Sequence, residues 1–268
     1  MASVCQALKD FSDKLYAKVV ESQGGNYHNV FVSPVSIYAA MSMVLAGSQG
    51  ETKREMLSAL QLAAGMSQET HHNSIGTTIR SCFESTPGVT VSVGNRLFAE
   101  QNAPINAEYK SLLLKDYQAD TENVDFLADA ESARKRINKW VSEQTKEKIQ
   151  ELFPPGSLRS DSCVAITNAL YFKGSWEIAF PKEVTGQHDF YLLNGTKKKM
   201  KMMYKEDDFK STVDEEGATA AAATGAIATF CCIMPSMQVR VVHPFFVALV
   251  YDDKIPIFMG HVLDPEEN

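Results

Sequence analysis

Thiol and imidazole side chains are the groups in this sequence most able to act as nucleophiles, bases or metal ligands. The chain has five cysteines and six histidines. The odd number of cysteines and the absence of C-x-x-C spacing argue against a disulfide framework and a zinc site. The sequence also lacks H-E-x-x-H, G-x-S-x-G, P-loop and dinucleotide-binding patterns. We therefore expect a non-enzymatic protein with reduced thiols, no metal and no cofactor.

The most unusual stretch is an alanine-rich segment over residues 215–235, which contains the adjacent thiols Cys231 and Cys232. Alanine favours a helix over residues 218–223, but Thr224 and the residues after it limit that helix. In a strand, alternate residues face the same side, and here that side would carry only small groups: Ala218, Ala220, Ala222, Thr224, Ala226 and Ala228. Such a strand could enter an existing sheet without the steric clash that a bulky side chain would cause.

The remaining sequence predicts the elements that must position this segment. Apolar spacing and capping residues predict helices over residues 3–23, 35–45, 52–60, 69–83, 107–114 and 129–145. Alternating or continuous apolar runs predict strands over residues 89–98 and 163–176, and a hairpin over residues 190–204. Helices followed mainly by strands indicate the α+β class.

Three local signals refine these predictions. Ser33 should cap the second helix, which is apolar enough to be buried on nearly all sides. Thr52 with Glu55 should form a capping box, and Asp129 should cap the last long helix. Trp176 follows an apolar strand, so we expect it in the core rather than at a ligand site.

Net charge and hydropathy limit the classes of partner that we expect for this protein. The formal net charge of -7 gives no electrostatic reason to bind nucleic acid or an anionic membrane. Five lysines over residues 197–205 are best explained as a solvated strand edge. We find no signal-peptide pattern and no apolar run long enough to span a membrane, and we predict a cytoplasmic protein.

Several long motifs resemble one family. Glu215-Glu216-Gly217, followed by small residues and a threonine, resembles the hinge of inhibitory serpins, and residues 230–235 and 243–245 resemble the bait loop and the strand after it. Residues 29–37, 168–176 and 257–262 resemble the shutter helix, a central strand and the closing strand of that fold. The chain is identified as a member of the intracellular, ovalbumin-type branch of the serpins, forming a single serpin-like domain over residues 1–268.

The resemblance implies a suicide substrate that inhibits serine proteases when its loop is cut and inserts into the main sheet. It places the reactive bond at Cys231-Cys232, which suits elastase-like proteases, or at Phe230-Cys231, which suits chymotrypsin-like ones. Cysteine proteases are a further class of target. The hinge it implies is Glu215, Glu216, Gly217, Ala218, Thr219, Ala220, Ala221, Ala222, Ala223 and Thr224. The shutter and breach residues it implies are Ser33, Ser36, Asn168 and Trp176.

The chain departs from the family pattern after Phe209. Residues 1–209 resemble the first part of a serpin and residues 210–268 the last, while roughly a hundred residues between them are absent. Strands of both sheets and a histidine that would join Ser33, Ser36 and Asn168 are missing with them. The alternative is therefore a non-inhibitory protein, which serves as a protease substrate or self-associates through open sheet edges.

Overall fold

The structure is a computed structural model. The residues that it describes are 2–62, 68–84, 87–103, 105–176, 179–205, 211–214, 217–220, 241–252 and 254–266. The helices are α1 (Ala2–Ser22), α2 (Pro34–Gly47), α3 (Gly50–Ala59), α4 (Gln68–Cys82), α5 (Ala107–Tyr117) and α6 (Phe126–Gln144). The strands are β1 (Val30–Val32), β2 (Val89–Glu100), β3 (Ala119–Val124), β4 (Val164–Gly174), β5 (Gly186–Tyr191), β6 (Lys197–Met202), β7 (Ser211–Asp214), β8 (Gly217–Ala220), β9 (Phe245–Tyr251) and β10 (Ile255–Val262).

The strands form two three-stranded sheets and two hairpins. One sheet has the order β3-β2-β4, with β2 parallel to β3 and antiparallel to β4. The other has the order β1-β10-β9, and β5-β6 and β7-β8 are antiparallel pairs. The chain divides into two compact units, the first comprising Met1–Ser175 with Phe246–Asn268 and the second Trp176–Phe245. That residues 1–268 act as one domain stays a prediction.

The β3-β2-β4 sheet separates two hydrophobic cores of the first unit. Leu97 belongs to the larger core with residues of α1, α2, α4 and α5, whereas its neighbour Phe98 packs with Ile137 and Trp140 of α6. This alternation follows from the two-residue period of a strand. β4 is likewise covered on both faces, as the sequence predicts, because Ala165 packs in the smaller core while Ile166, beside it, packs against the larger one.

Helix α2 begins as predicted. The Ser33 hydroxyl accepts a hydrogen bond from the backbone N–H of Ser36 at 3.3 Å, and Pro34 occupies the first turn. Burial on nearly all sides is wrong for this helix, because Ile37 and Val44 are each more than a third exposed. These residues are seven apart, so they lie on one flank of the helix, and that flank is open to solvent.

The other two capping predictions have opposite outcomes. The Thr52–Glu55 capping box is wrong, because α3 already begins at Gly50 after Gln49, which makes no side-chain capping hydrogen bond. The Asp129 cap is confirmed, since its carboxylate accepts a hydrogen bond from Ser132 N–H at 2.9 Å. An additional turn capped by Asp125 precedes it, and the non-helical backbone of Asp129 separates that turn from the rest of α6.

Gly76 sets the contact between α4 and the end of α5. A Cβ atom at this position would lie 2.0 Å from the carbonyl oxygen of Asp116. Real Cβ atoms do not approach a backbone oxygen so closely, so only glycine allows the two helices to meet here. This contact brings the last turn of α5 against α4 and closes one side of the larger core.

The predicted hairpin forms between β5 and β6 in the second unit. Its last strand pair is Tyr191 with Lys197, and Gly195 adopts a left-handed backbone in the turn (φ 79°). Lys197 and Lys199 each lie 2.7 Å from the Asp189 carboxylate. Hydrogen bonds from these two lysines lower the pKa of Asp189 to about 2. Lys197 and Lys199 are thus paired with a carboxylate on the exposed side of the hairpin, whereas Phe190 of β5 is buried.

Candidate functional site

Three of the predicted shutter residues converge at one place, which we call the polar junction and define as Ser33, Ser36, Asn95 and Asn168. The Ser36 hydroxyl donates a hydrogen bond to the Asn168 side-chain oxygen. The Asn168 amide donates to the Asn95 side-chain oxygen at 2.5 Å. The Ser33 hydroxyl donates to the Ile257 carbonyl oxygen at 2.7 Å. These bonds connect α2 to β4, to β2 and to β10.

The strand register explains why the junction forms. Asn95 and Asn168 are directly opposite each other in the β2–β4 pair, so their side chains leave the sheet on the same face. Leu97, two residues from Asn95, packs in the larger core, which places the junction on that side of the sheet. Polar groups enclosed by apolar side chains are costly unless they bond to one another. The junction therefore locks the position of α2 on the sheet.

The junction continues into a buried chain of polar groups. The side-chain amide nitrogen of Asn95 donates a hydrogen bond to the Tyr117 carbonyl oxygen at 2.8 Å. The Tyr117 hydroxyl lies 2.6 Å from Nδ1 of His72, on α4. Burial, followed by the nearby His71 and Lys53, lowers the pKa of His72 to about 4. Burial raises the pKa of Tyr117. Both side chains are therefore neutral near pH 7.

Sequence reasoning missed Asn95, Tyr117 and His72. A signal for Asn95 was present in the sequence. Alternate residues of a strand lie on one face, and on this face Asn95 is the one polar residue in the series Val91, Val93, Asn95, Leu97. An amide at such a position indicates a buried polar partner. Tyr117 and His72 gave no comparable signal, since their helices carry polar residues around much of their surface.

The predicted hinge segment lies partly within the described residues. Gly217–Ala220 forms β8 and pairs antiparallel with β7, in a register that joins Val213 to Ala218 and Ser211 to Ala220. These four residues of the predicted hinge are therefore extended rather than helical. The other residues of the predicted hinge lie outside the described residues: Glu215, Glu216, Ala221, Ala222, Ala223 and Thr224. So do the candidate reactive residues Phe230, Cys231 and Cys232.

Strand β4 ends the sheet on one side. Its eleven residues pair with β2 along their whole length, and within the described ranges no strand pairs with its other edge. Aromatic rings lie close to its C-terminal half: Phe172 packs edge-on against Phe258, which in turn stacks on Phe31 at 5.1 Å. The Phe31 ring is 64% exposed. An open backbone edge and exposed apolar surface thus occur in the same unit.

Trp176 is not in the core. Its side chain is 65% exposed, and the Phe180 ring covers part of it at a centroid distance of 5.3 Å. The prediction of a core residue is therefore wrong. The reason is that β4 ends at Gly174, so Trp176 lies past the end of the strand whose apolar pattern suggested burial. The breach role that the resemblance implies for Trp176 stays a prediction.

Comparison with known proteins identifies the family. A family model described as "Serpin (serine protease inhibitor)" matches residues 6–212 and 210–265. The chain belongs to the serpin family. The two matching stretches of this serpin meet at residues 210–212, where the sequence departs from the family pattern. The serpin is thus a shortened member of its family.

Curated relatives support the same assignment. The serpin is 36% identical over 205 residues to the leukocyte elastase inhibitor of Xenopus tropicalis, covering 76% of this chain and 53% of the relative. It is 34% identical to Serpin B6 of Bos taurus, covering 82% and 57%, and 35% identical to Ipis-1 of Ixodes persulcatus, covering 78% and 54%. The serpin spans about half the length of the curated relatives that it matches.

Solved serpin structures share the fold. Emu ovalbumin superposes with a TM-score of 0.71 at 26% identity, covering 80% of this chain and 58% of that one. Arabidopsis AtSerpin1 in its native stressed conformation gives 0.67 at 28% identity, covering 79% and 55%. Among the described residues of the serpin, no helix is long and apolar enough to cross a membrane. The described part also contains no cluster of three potential metal-binding side chains.

Proposed function

We propose that this serpin inhibits serine proteases as a suicide substrate, with Cys231-Cys232 as the reactive bond and Phe230-Cys231 as the alternative. The observation that carries the proposal is the strand conformation of Gly217–Ala220 beside β7. A bait that becomes a strand after cleavage needs a hinge that accepts backbone pairing. The hinge already pairs in this way over four residues.

The chemical steps are those of an interrupted proteolysis. The protease serine attacks the carbonyl carbon of Cys231 or Phe230, an acyl ester forms, and the amine of the next residue leaves with a proton. The freed segment then adds to a sheet as a strand, and the attached protease is displaced before water reaches the ester. One edge of β4 pairs with no strand among the described residues, and it offers backbone donors and acceptors for such an added strand.

The residue before the cut decides the class of protease. Cys231 has a small side chain and suits the shallow primary pocket of elastase-like proteases, whereas Phe230 suits the deep apolar pocket of chymotrypsin-like ones. The name of one relative, the leukocyte elastase inhibitor, favours the first class. Cysteine proteases are a further target class in this proposal. A cytoplasmic location stays a prediction.

The direct test is covalent trapping. The full chain is mixed with neutrophil elastase or chymotrypsin, and the products are separated on a denaturing gel and cut sites identified by mass spectrometry. We expect a band that contains both proteins and resists denaturation. Cleavage with no such band at any ratio of the two proteins would rule out inhibition by this mechanism.

Two hinge variants separate insertion from simple cleavage. Ala220 belongs to the small-residue series of the alternating pattern, whereas its neighbour Thr219 belongs to the opposite side. Ala220→Arg should abolish the covalent band and leave the chain a substrate, because the bulky side chain would have to enter a packed core. Thr219→Arg adds the same charge and volume on the other side and should keep the band.

A second candidate function is self-association by strand exchange. Two features favour it: an edge of β4 that is unpaired within the described part of the chain, and the exposed Phe31 side chain. Unpaired edges and apolar patches promote pairing between chains. Analytical ultracentrifugation over a range of concentrations tests this candidate. If the chain self-associates, its average molar mass should increase with concentration. A chain that is monomeric at all concentrations and also traps elastase would eliminate this candidate.

A further inference from the structure

The tip of the β5–β6 hairpin carries the one Asn-Gly pair of the sequence, Asn194-Gly195. Asn194, Gly195 and Thr196 are all exposed to solvent, and the proposed function uses none of them. The Leu192 N–H donates to the Thr196 carbonyl oxygen at 2.8 Å, so the two strands stay bonded up to the tip. The tip therefore presents an asparagine side chain and the backbone amide of a glycine next to each other.

Thr196 polarises the side-chain amide of Asn194. Its backbone N–H donates to Oδ1 of Asn194 at 3.0 Å, and its hydroxyl donates to the same oxygen at 2.6 Å. A backbone N–H can only donate, so the atom that it contacts is the carbonyl oxygen of the amide and not its nitrogen. Two donors on a carbonyl oxygen stabilise the negative charge that develops there when a nucleophile attacks the carbon. Thr196 thus supplies a small oxyanion hole for attack on Cγ of Asn194.

The nucleophile for this attack is the backbone nitrogen of Gly195. Its attack on Cγ of Asn194 closes a five-membered ring, and the reaction is intramolecular because the two residues are neighbours in the chain. Glycine has no side chain that would hinder its own nitrogen. The Gly195 N–H donates to the Leu192 carbonyl oxygen at 3.0 Å, and this bond must open before the nitrogen attacks. Water takes the proton, since the tip is exposed.

We propose that Asn194 is a site of spontaneous deamidation. A bond forms between the Gly195 nitrogen and Cγ of Asn194 as the nitrogen loses its proton to water, and the side-chain nitrogen of Asn194 leaves as ammonia. Water then hydrolyses the cyclic imide at one of its two carbonyl carbons, which yields aspartate or isoaspartate. No atom is oxidised or reduced, and solvent water is the co-reactant. The inference needs neither the bait nor strand insertion, so it is independent of the proposed function.

The two products change the hairpin differently. Aspartate places a carboxylate where the Thr196 N–H and hydroxyl already donate, so the conformation of the tip is kept. Isoaspartate routes the backbone through its β-carbon and lengthens the chain at the tip by one atom. The register that pairs Tyr191 with Lys197, and the bond from the Leu192 N–H to Thr196, then no longer fit. Conversion to isoaspartate should therefore loosen this end of the β5–β6 pair.

A time course on the full chain tests the site. The protein is incubated in neutral buffer at physiological temperature and digested, the peptides are analysed by mass spectrometry, and isoaspartate is measured with protein isoaspartyl methyltransferase. We expect the peptide that contains Asn194 to gain the mass difference between an amide and an acid before those of Asn26 and Asn123, which are also exposed but precede Tyr27 and Val124. Deamidation of Asn194 no faster than that of Asn26 and Asn123 would overturn the inference.

Matched variants test the oxyanion hole. Thr196→Val keeps the shape and the backbone donor but removes the hydroxyl, so deamidation should slow about fivefold, the effect of one neutral hydrogen bond. Thr196→Ser retains the hydroxyl and should keep the natural rate. Equal rates in Thr196→Val and the natural chain, or equal slowing in both variants, would contradict the role of the hydroxyl. Circular dichroism checks the fold of each variant, and should Thr196→Val fail to fold, the comparison of Asn194 with Asn26 in the natural chain still decides.

Hydrogen exchange tests the effect on the hairpin. The Leu192 amide should exchange faster in the isoaspartate form than in the natural chain, because its bond to the Thr196 carbonyl oxygen is lost. Asn194→Asp reproduces the other product and should leave the exchange of this amide unchanged. Equal exchange in the isoaspartate form and in Asn194→Asp would contradict the predicted loss of register.

Discussion

Acidification should destabilise the first unit through His72. The side chain is completely buried, and Nδ1 bonds to the Tyr117 hydroxyl while Nε2 has no partner among the described residues. Burial lowers the pKa of His72 from the ordinary value of 6.5 for histidine to about 4. Between these two values the unfolded chain binds a proton that the folded chain does not, so the free energy of unfolding falls as the pH is lowered.

The magnitude follows from the difference in pKa. Each pH unit in this window changes the free energy of unfolding by about 1.4 kcal/mol for one proton, so the loss from about pH 7 to about pH 4 is roughly 3 kcal/mol. Below the folded-state pKa both states carry the proton and His72 causes no further loss. His71 should add to the effect in the same direction, because burial, followed by Lys53, lowers its pKa too.

The assay is urea unfolding followed by circular dichroism at a series of pH values. His72→Phe keeps a ring buried but removes the titrating group. On acidification, its free energy of unfolding should therefore fall by roughly 3 kcal/mol less than that of the natural chain. It will also lose about 1 kcal/mol at neutral pH, because the Tyr117 hydroxyl loses its partner. His188→Gln is the control, because His188 is exposed on β5, and this variant should keep the full pH dependence.

Equal pH dependence in His72→Phe and the natural chain would refute this account. That result would mean that the His72 ring is already protonated or solvated in the folded chain. An NMR titration of the His72 ring protons gives an independent check. Their shifts should change near pH 4 rather than near pH 6.5.

Three further predictions concern packing, the polar junction and the bait. Gly76→Ala should destabilise the fold by about 3 kcal/mol in urea unfolding because of the overlap with the α5 backbone, whereas Gly186→Ala, whose Cβ would lie 3.4 Å from its nearest neighbour, should change little. Ser36→Ala and Asn168→Ala should each cost about 1 to 2 kcal/mol, and their double-mutant cycle should show coupling of at least about 0.5 kcal/mol; strict additivity would contradict the hydrogen bond between them. Nicking the bait at residues 230–232 should raise the melting temperature if the freed strand inserts, and an unchanged melt would show that it does not.

The elements of the fold were predictable because their signals are local. The Ser33 cap, the alternation in β2 and the Asp129 cap depend on residues a few positions apart, and each appears where the sequence indicates. The start of α3 was not predictable in this way. Thr52 and Glu55 have the spacing of a capping box, but α3 is already helical from Gly50, so both residues lie inside the helix.

The candidate site was predictable only in part, because its contacts join residues far apart in sequence. Ser36 and Asn168 were identified by resemblance, and they do meet across 132 positions. Asn95 completes the junction, but only the β2–β4 register reveals that it faces Asn168. Trp176 was misjudged because an apolar run does not tell where the strand ends.

The two tryptophans occupy opposite environments, one in each unit. Trp140 is almost fully enclosed and lies 5.1 Å from the Arg96 guanidinium, whereas Trp176 is mostly in water. Indole emission shifts to longer wavelength in water, and soluble quenchers reach only the accessible ring. The natural chain therefore contains two intrinsic fluorophores that can be told apart without labelling, one reporting on the α6 side of the central sheet and the other on the region around Phe180. Quenching by acrylamide during a melt would show whether the two units lose their structure together or in turn.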